Sequence, residues 1–201
     1  MHRQISKLAL AGPVMALAVM LTAPAAHAQH TYPIDSGRTT IILDPSFVSA
    51  LGGFGLSLGT VSPSVLGNGK VTFPITSGEF DVDTATTEIL HSGGLTLRSG
   101  GTKVRLDSFI IDTGAHPVVT GLLTVNNKLI ERLPLFNLQF PSGLSLPLTF
   151  GTDDVIHLPA VGVTLTDLGA YALQDAFKVA IQPNTTVGTA RVAAMLSVIA
   201  R

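Results

Sequence analysis

Side chains able to do chemistry are few in this chain, and most stand apart. Asp153, Asp154 and His157 form the densest group, two carboxylates and an imidazole within five residues. Such donors suit zinc or another divalent ion. A fixed metal site needs a further ligand and an ordered backbone, whereas this segment runs from Gly151 to Pro159 and reads as a loop. His91 closes a predicted strand before Ser92-Gly93-Gly94. It is available as a metal or haem ligand, and it equally suits a polar position flanking a turn. His116 precedes Pro117 and His157 precedes Leu158-Pro159, as surface histidines do. Asp81, Asp83 and Glu88 offer oxygens to calcium, but without the glycine and ligand rhythm of an EF-hand loop. Aspartate at a hairpin turn has an ordinary reason to be there, since it caps the local backbone.

Nucleophilic chemistry finds one motif, Gly55-Leu56-Ser57-Leu58-Gly59, which has the G-x-S-x-G form. A nucleophile elbow needs a strand before the serine and a helix after it. Here Gly52-Gly53 precedes and Val61-Ser62-Pro63 follows, so neither flank fits. Ser92 adjoins His91, but adjacent strand residues point to opposite faces. A glycosidase needs two carboxylates across a cleft, usually with aromatic platforms, and the chain has no tryptophan and only two tyrosines. Gly93-Gly94 and Gly100-Gly101 open no helix and precede no Lys-Ser pair, so they are not phosphate loops. Arg98, Lys103 and Arg105 are too few to imply a polyanion partner. These residues point to a protein that is not an enzyme.

The elements that must position these groups are mostly strands. The stretch 78–125 holds at least four β-prone segments separated by Gly-, Asp- and Thr-rich turns. Hairpins are predicted about Asp83-Thr84-Ala85, about Ser99-Gly100-Gly101 and about Asn126-Asn127-Lys128. Asn68-Gly69 marks a tight turn before 70–76, where Val71, Phe73 and Ile75 alternate and Pro74 signals an edge or a bulge. Residues 39–43 (TTIIL) read as a strand, followed by Asp44 as cap, Pro45 at the first helical position, and Gly52-Gly53 as the stop. Residues 161–165 read as a second such strand, with Thr166 capping a helix over 167–177 that Gly169 weakens slightly. Strand, cap and helix thus occur twice. Leu144, Leu146, Leu148 and Phe150 alternate as in a strand, interrupted by Pro147, and 187–199 is the closing strand. The predicted fold is mainly β, an antiparallel sandwich or open barrel with two short helices, one covering each end.

Composition sets the compartment. Charged residues are only 12% and hydrophobic residues 46%, with a mean hydropathy of +0.47 and a net charge of −1. That balance gives no electrostatic reason to expect nucleic acid. The absence of cysteine excludes disulfides, thiolate metal sites and cysteine nucleophiles. Arg3 and Lys7 precede an uncharged apolar run over 8–21, and Ala26-His27-Ala28 supplies small residues at the cleavage positions. This is a secretory leader over 1–28, its apolar run shorter than the ~20 residues that span a bilayer. A flexible arm over 29–38 and a single β-rich domain over 39–201 are expected to follow, with no membrane span after cleavage.

The order FPITSGEFD, TEILHSGGLTL, GGTKVRLDSFIID and GLLTV carries a resemblance. The matching residues are Phe73-Pro74-Ile75-Thr76-Ser77-Gly78, His91-Ser92-Gly93-Gly94-Leu95, Val104-Arg105-Leu106 with Phe109-Ile110-Ile111, and Gly121-Leu122-Leu123. Over 39–125 the chain resembles the Htaa-type domain of secreted and cell-surface actinobacterial haem-uptake proteins and their shorter secreted relatives. The resemblance implies a haem-binding β-domain, with a tyrosine ligand on its N-terminal helix and an assisting histidine farther on. The tyrosine position falls near Ala50 or Leu51, and the histidine loop reads Arg98-Ser99-Gly100-Gly101-Thr102, so both ligands are absent at their places. His91 and Tyr171 are then the substitute haem ligands. The reading that follows is an exported, non-enzymatic β-domain without a cofactor. It would be periplasmic or secreted and would bind a small apolar ligand or an envelope or surface partner. Haem or metal binding is the alternative.

Overall fold

The computed structural model of the chain describes residues 30–142, 146 and 153–197. The expected leader, and most of the alternating run around Pro147, lie outside the described residues. In chain order the elements are β1 (Thr31–Leu43), α1 (Pro45–Gly53), β2 (Ser57–Val61), β3 (Val65–Gly67), β4 (Lys70–Asp81), β5 (Thr87–His91) and β6 (Gly94–Ser99). Then follow β7 (Thr102–Asp112), β8 (Val118–Val125), β9 (Lys128–Gln139), β10 (Val155–His157), β11 (Val161–Leu165), α2 (Asp167–Phe177) and β12 (Thr186–Leu196).

The described strands make one antiparallel sheet, and eight of them form a ring in the order β7, β5, β4, β1, β12, β11, β9, β8. β8 returns to β7 through pairs running from Val104 with Val125 to Asp112 with Val118, which shuts the barrel. The mainly antiparallel β architecture is therefore as the sequence implies, and the barrel is the form it takes. One wall forks: β6 pairs with the first half of β7 and β5 with its end, on the same edge. β2 extends β6, and β3 lies on the start of β4. Pro74 fits inside β4 because its carbonyl accepts from the Ser92 N–H, so its missing N–H faces the gap between β3 and β5. A bulge at Ile75/Ser77 follows it.

Local chemistry explains the turns and helices. Asn126 and Asn127 take φ of 48° and 67°, the paired left-handed geometry of a two-residue hairpin. Asn68 and Gly69 do the same at 50° and 69°. The Asp44 carboxylate accepts from the Ser46 and Phe47 N–H groups at 2.8 and 3.4 Å, which starts α1. Thr166 Oγ1 accepts from the Gly169 N–H at 2.8 Å and starts α2. α1 runs through Gly52-Gly53, and the left-handed residue that turns the chain is Gly55.

Two expectations are corrected. The polar stretch 31–38 is no loose arm but the first part of β1, held by backbone pairing on both edges, to β4 and to β12. The helices do not cover opposite ends. β1 and β11 run the same way beside β12, with Leu43 opposite Gly188 and Thr164 opposite Thr186, so both strands end at one mouth and both helices follow there. α1 packs on β12 and β2, and α2 on β9 and β7. The Gly55–Gly59 motif, whose flanks already spoke against an elbow, forms none: Ser57 opens edge strand β2, and its hydroxyl donates to the Arg98 carbonyl.

Inward side chains fill the barrel. Val71, Phe73 and Ile75 from β4 meet Leu106, Phe109 and Ile111 from β7, with Leu135, Phe136 and Val163 opposite. Phe109 stands edge-on to Phe73 and Phe136, with centroids 5.3 and 6.2 Å away. Gly121 lets Phe109 lie against the wall, since a Cβ there would come within 2.8 Å of the Phe109 and Leu135 side chains.

Candidate functional site

His91 lies inside this core. β5 ends there, and its ring, 6% exposed, borders a residual cavity of about 30 Å³ whose lining is otherwise apolar except for Thr39. Nε2 and Thr39 Oγ1 are 2.7 Å apart, and Nδ1 makes no hydrogen bond. Burial pushes the pKa down to about 4, against a weaker opposing pull from the Phe109 and Ile89 backbone carbonyls. The imidazole is therefore neutral. The cavity has room for a water molecule or so, far less than a porphyrin needs. His91 is thus a core residue bonded to Thr39, placed where no macrocycle reaches it.

The acidic candidates also separate. The Asp81 carboxylate accepts from the Asp83 and Thr84 N–H groups at 2.9 and 3.1 Å, and Asp83 pairs with His30, so these groups serve the β4–β5 turn. The Asp153 carboxylate accepts from the Val155 N–H, while His157 points outward from β10. Asp153, Asp154 and His157 do not converge: among the described residues no group of three or more such donors is placed to hold a metal ion.

Tyr171 is in a different setting. It lies on α2, 56% exposed, on the wall of a groove of about 480 Å³. The periodicity of α2 puts it there. Ala170 and Leu173 turn inward with Gly169, while Leu168, Tyr171, Ala172 and Asp175 face the groove. Across from them stand Leu123 and Val125 of β8 and Ile130 and Leu133 of β9. Gly169 allows this closeness, because a Cβ would sit 2.5 Å from the Leu135 carbonyl oxygen. Asp175 pairs with Lys178 at 2.6 Å, and that contact holds its carboxyl below the usual range. The groove mixes an apolar wall with Thr102, Asn126, Glu131 and Asp175, carries a phenol on one side and has a size typical of small-molecule sites. A phenolate is an axial ligand of ferric haem in some haem proteins, so the groove can receive a flat apolar body with a coordinating oxygen. Of the two substitute ligands read from the sequence, the groove contains Tyr171 and excludes His91. The β8–β9 wall was not foreseen. Its signal was the adjacent apolar pair Leu129-Ile130 straight after a turn, both largely exposed.

Barrel, two-helix mouth and α2 groove together define a mainly antiparallel β-barrel domain with two helices at one end. No protein-family model matches the chain, and no curated protein matches it in sequence. Solved structures do. The chain is similar to the C-terminal domain of HtaA from Corynebacterium glutamicum, with a TM-score of 0.63 at 16% identity over 83% of this chain and 99% of that one. It is similar to the heme binding protein HtaB from the same organism, with a TM-score of 0.56 at 10% identity over 84% and 97%. The N-terminal domain of HtaA gives a TM-score of 0.56 at 12% identity over 82% and 99%. The chain has the fold of the HtaA domains, as the resemblance implied.

Proposed function

We propose that this chain is an exported, non-catalytic binding domain that takes a flat apolar ligand, haem, in the groove between α2 and the β8–β9 hairpin. Its leader supports export. The observation that carries the reading is the seat of Tyr171, a phenol beside the apolar wall of Leu123, Val125, Ile130, Leu133 and Leu168 in a groove of about 480 Å³. The shared fold with HtaB, itself a heme binding protein, adds weight. Tyr171 would hold the iron, while Leu123, Val125, Ile130 and Leu168 would cover the ring. When bound, haem would supply a ferric iron for the phenolate. The remaining work belongs to the chain, which shields one face of the ligand and fixes the phenol against it. Tyr171 stands on the second helix, so the ligand-bearing helix would differ from the one that the family resemblance implies.

Titrating the mature chain with haem tests this. A saturable Soret band is expected that Tyr171→Phe abolishes or shifts and that Tyr32→Phe leaves intact. No saturable band, or a band indifferent to Tyr171→Phe, overturns haem ligation. Metal-free porphyrin binding as tightly as haem would make this an apolar-ligand groove in which the phenol has no coordinating role.

A further inference from the structure

We propose a second binding site on the outer wall made by β10, β12, β1 and the start of β4, which takes an oxyanion, a phosphate or carboxylate group. A groove of about 510 Å³ runs along this wall, with Arg38, Lys70, His157 and Arg191 on its sides and Leu158 and Ala193 in its floor. Strand register explains the groove. Ala193 lies between Arg38 of β1 and His157 of β10, and Thr40 lies opposite Arg191. Arg38 and Arg191 are thus diagonal neighbours on paired strands, on the order of 7–8 Å apart at the backbone, and the short residues facing them leave the space between open.

Like charges so placed repel unless something neutralises them. Here nothing among the described residues does. No carboxylate lines the groove. Among the described residues, Arg38, Lys70, His157 and Arg191 enter no ion pair or side-chain hydrogen bond. Elsewhere Arg105 is paired with Asp107 and Lys178 with Asp175. The net charge of the chain is −1, so this wall is a local concentration of positive charge and not a share of general basicity. Two guanidinium forks flanked by an ammonium match the oxygens of a phosphate or carboxylate, which they bind through paired N–H donors. The apolar floor suits an oxyanion carried on a hydrocarbon body. The site shares no residue with the α2 groove.

The mature chain is titrated by calorimetry with inorganic phosphate and with citrate, and is sedimented with vesicles of phosphatidylglycerol or of phosphatidylcholine. Saturable binding is expected that weakens with added salt and falls at least tenfold in Arg38→Ala/Arg191→Ala. Lys103→Ala/Lys128→Ala, on the hairpins at the helix mouth, should leave it unchanged. Binding of the free ions assigns a soluble anion, and binding to phosphatidylglycerol alone assigns a lipid headgroup; either supports the site. Absence of saturable binding to all three anionic probes, or binding that the double arginine variant retains, overturns it. The Soret response of that variant should be normal, which separates this site from the α2 groove.

Discussion

At the scale of single residues, His91 has a measurable consequence. Its pKa falls from 6.5 to about 4 in the folded chain because the ring is desolvated. The folded protein therefore favours the neutral ring, and the unfolded chain takes up a proton first as pH falls. The stability this contributes is fully present above pH 6.5 and is lost as pH drops towards 4. The displacement corresponds to on the order of 3 kcal/mol. Chemical denaturation at pH 7 and pH 4.5 should show the parent losing more stability than His91→Gln does. A parent–variant difference that stays constant with pH would mean that the ring titrates normally. Sequence could place His91 at a strand end, but not inside the barrel, because the face it takes depends on the bulge in β4 and the fork at β7.

Elements show where local reasoning suffices and where it stops. Asp44 with Pro45, Thr166 and Asn126-Asn127 were legible because caps and tight turns depend on groups a few residues apart. The stretch 31–38 was not, because its polar residues give no alternation and its pairing partners lie at 74–81 and 193–196. Gly169 was read as a weak point of α2, whereas it is the contact point with β9. Helix propensity alone predicts that Gly169→Ala gains about 1 kcal/mol. The Leu135 backbone carbonyl, 2.5 Å from the new Cβ, cannot swing away as a side chain would. The steric term should win, with a net loss of ~1–3 kcal/mol and a weaker haem response as α2 lifts from the groove. Thermal unfolding and Soret titration of Gly169→Ala read both effects. A variant more stable than the parent would show that the helix can shift without cost.

For the molecule as a whole, ring closure and the shared mouth of the helices were the hardest features to read, since both depend on pairing between distant strands. Leu43 and Leu165 carry no mark that they finish side by side; only their common neighbour β12 makes them do so. The same register gives the barrel two unlike ends. Helices, the α2 groove and the β6–β7 and β8–β9 hairpins lie at one. The β4–β5 turn lies at the other, with Glu79, Glu88 and Asp112 in a row across three strands. The antiparallel pairing of β1 with β12, in which Ile34 faces Leu196, also puts the start of the first strand next to the finish of the last. A short linker could therefore stitch those two points together while the chain is cut at Gly100-Gly101. The rearranged polypeptide should fold to the same ring, with a matching circular dichroism spectrum and an unchanged haem response. In a fusion, cargo spliced to either extremity would hang from the side away from the groove, leaving its entrance unobstructed.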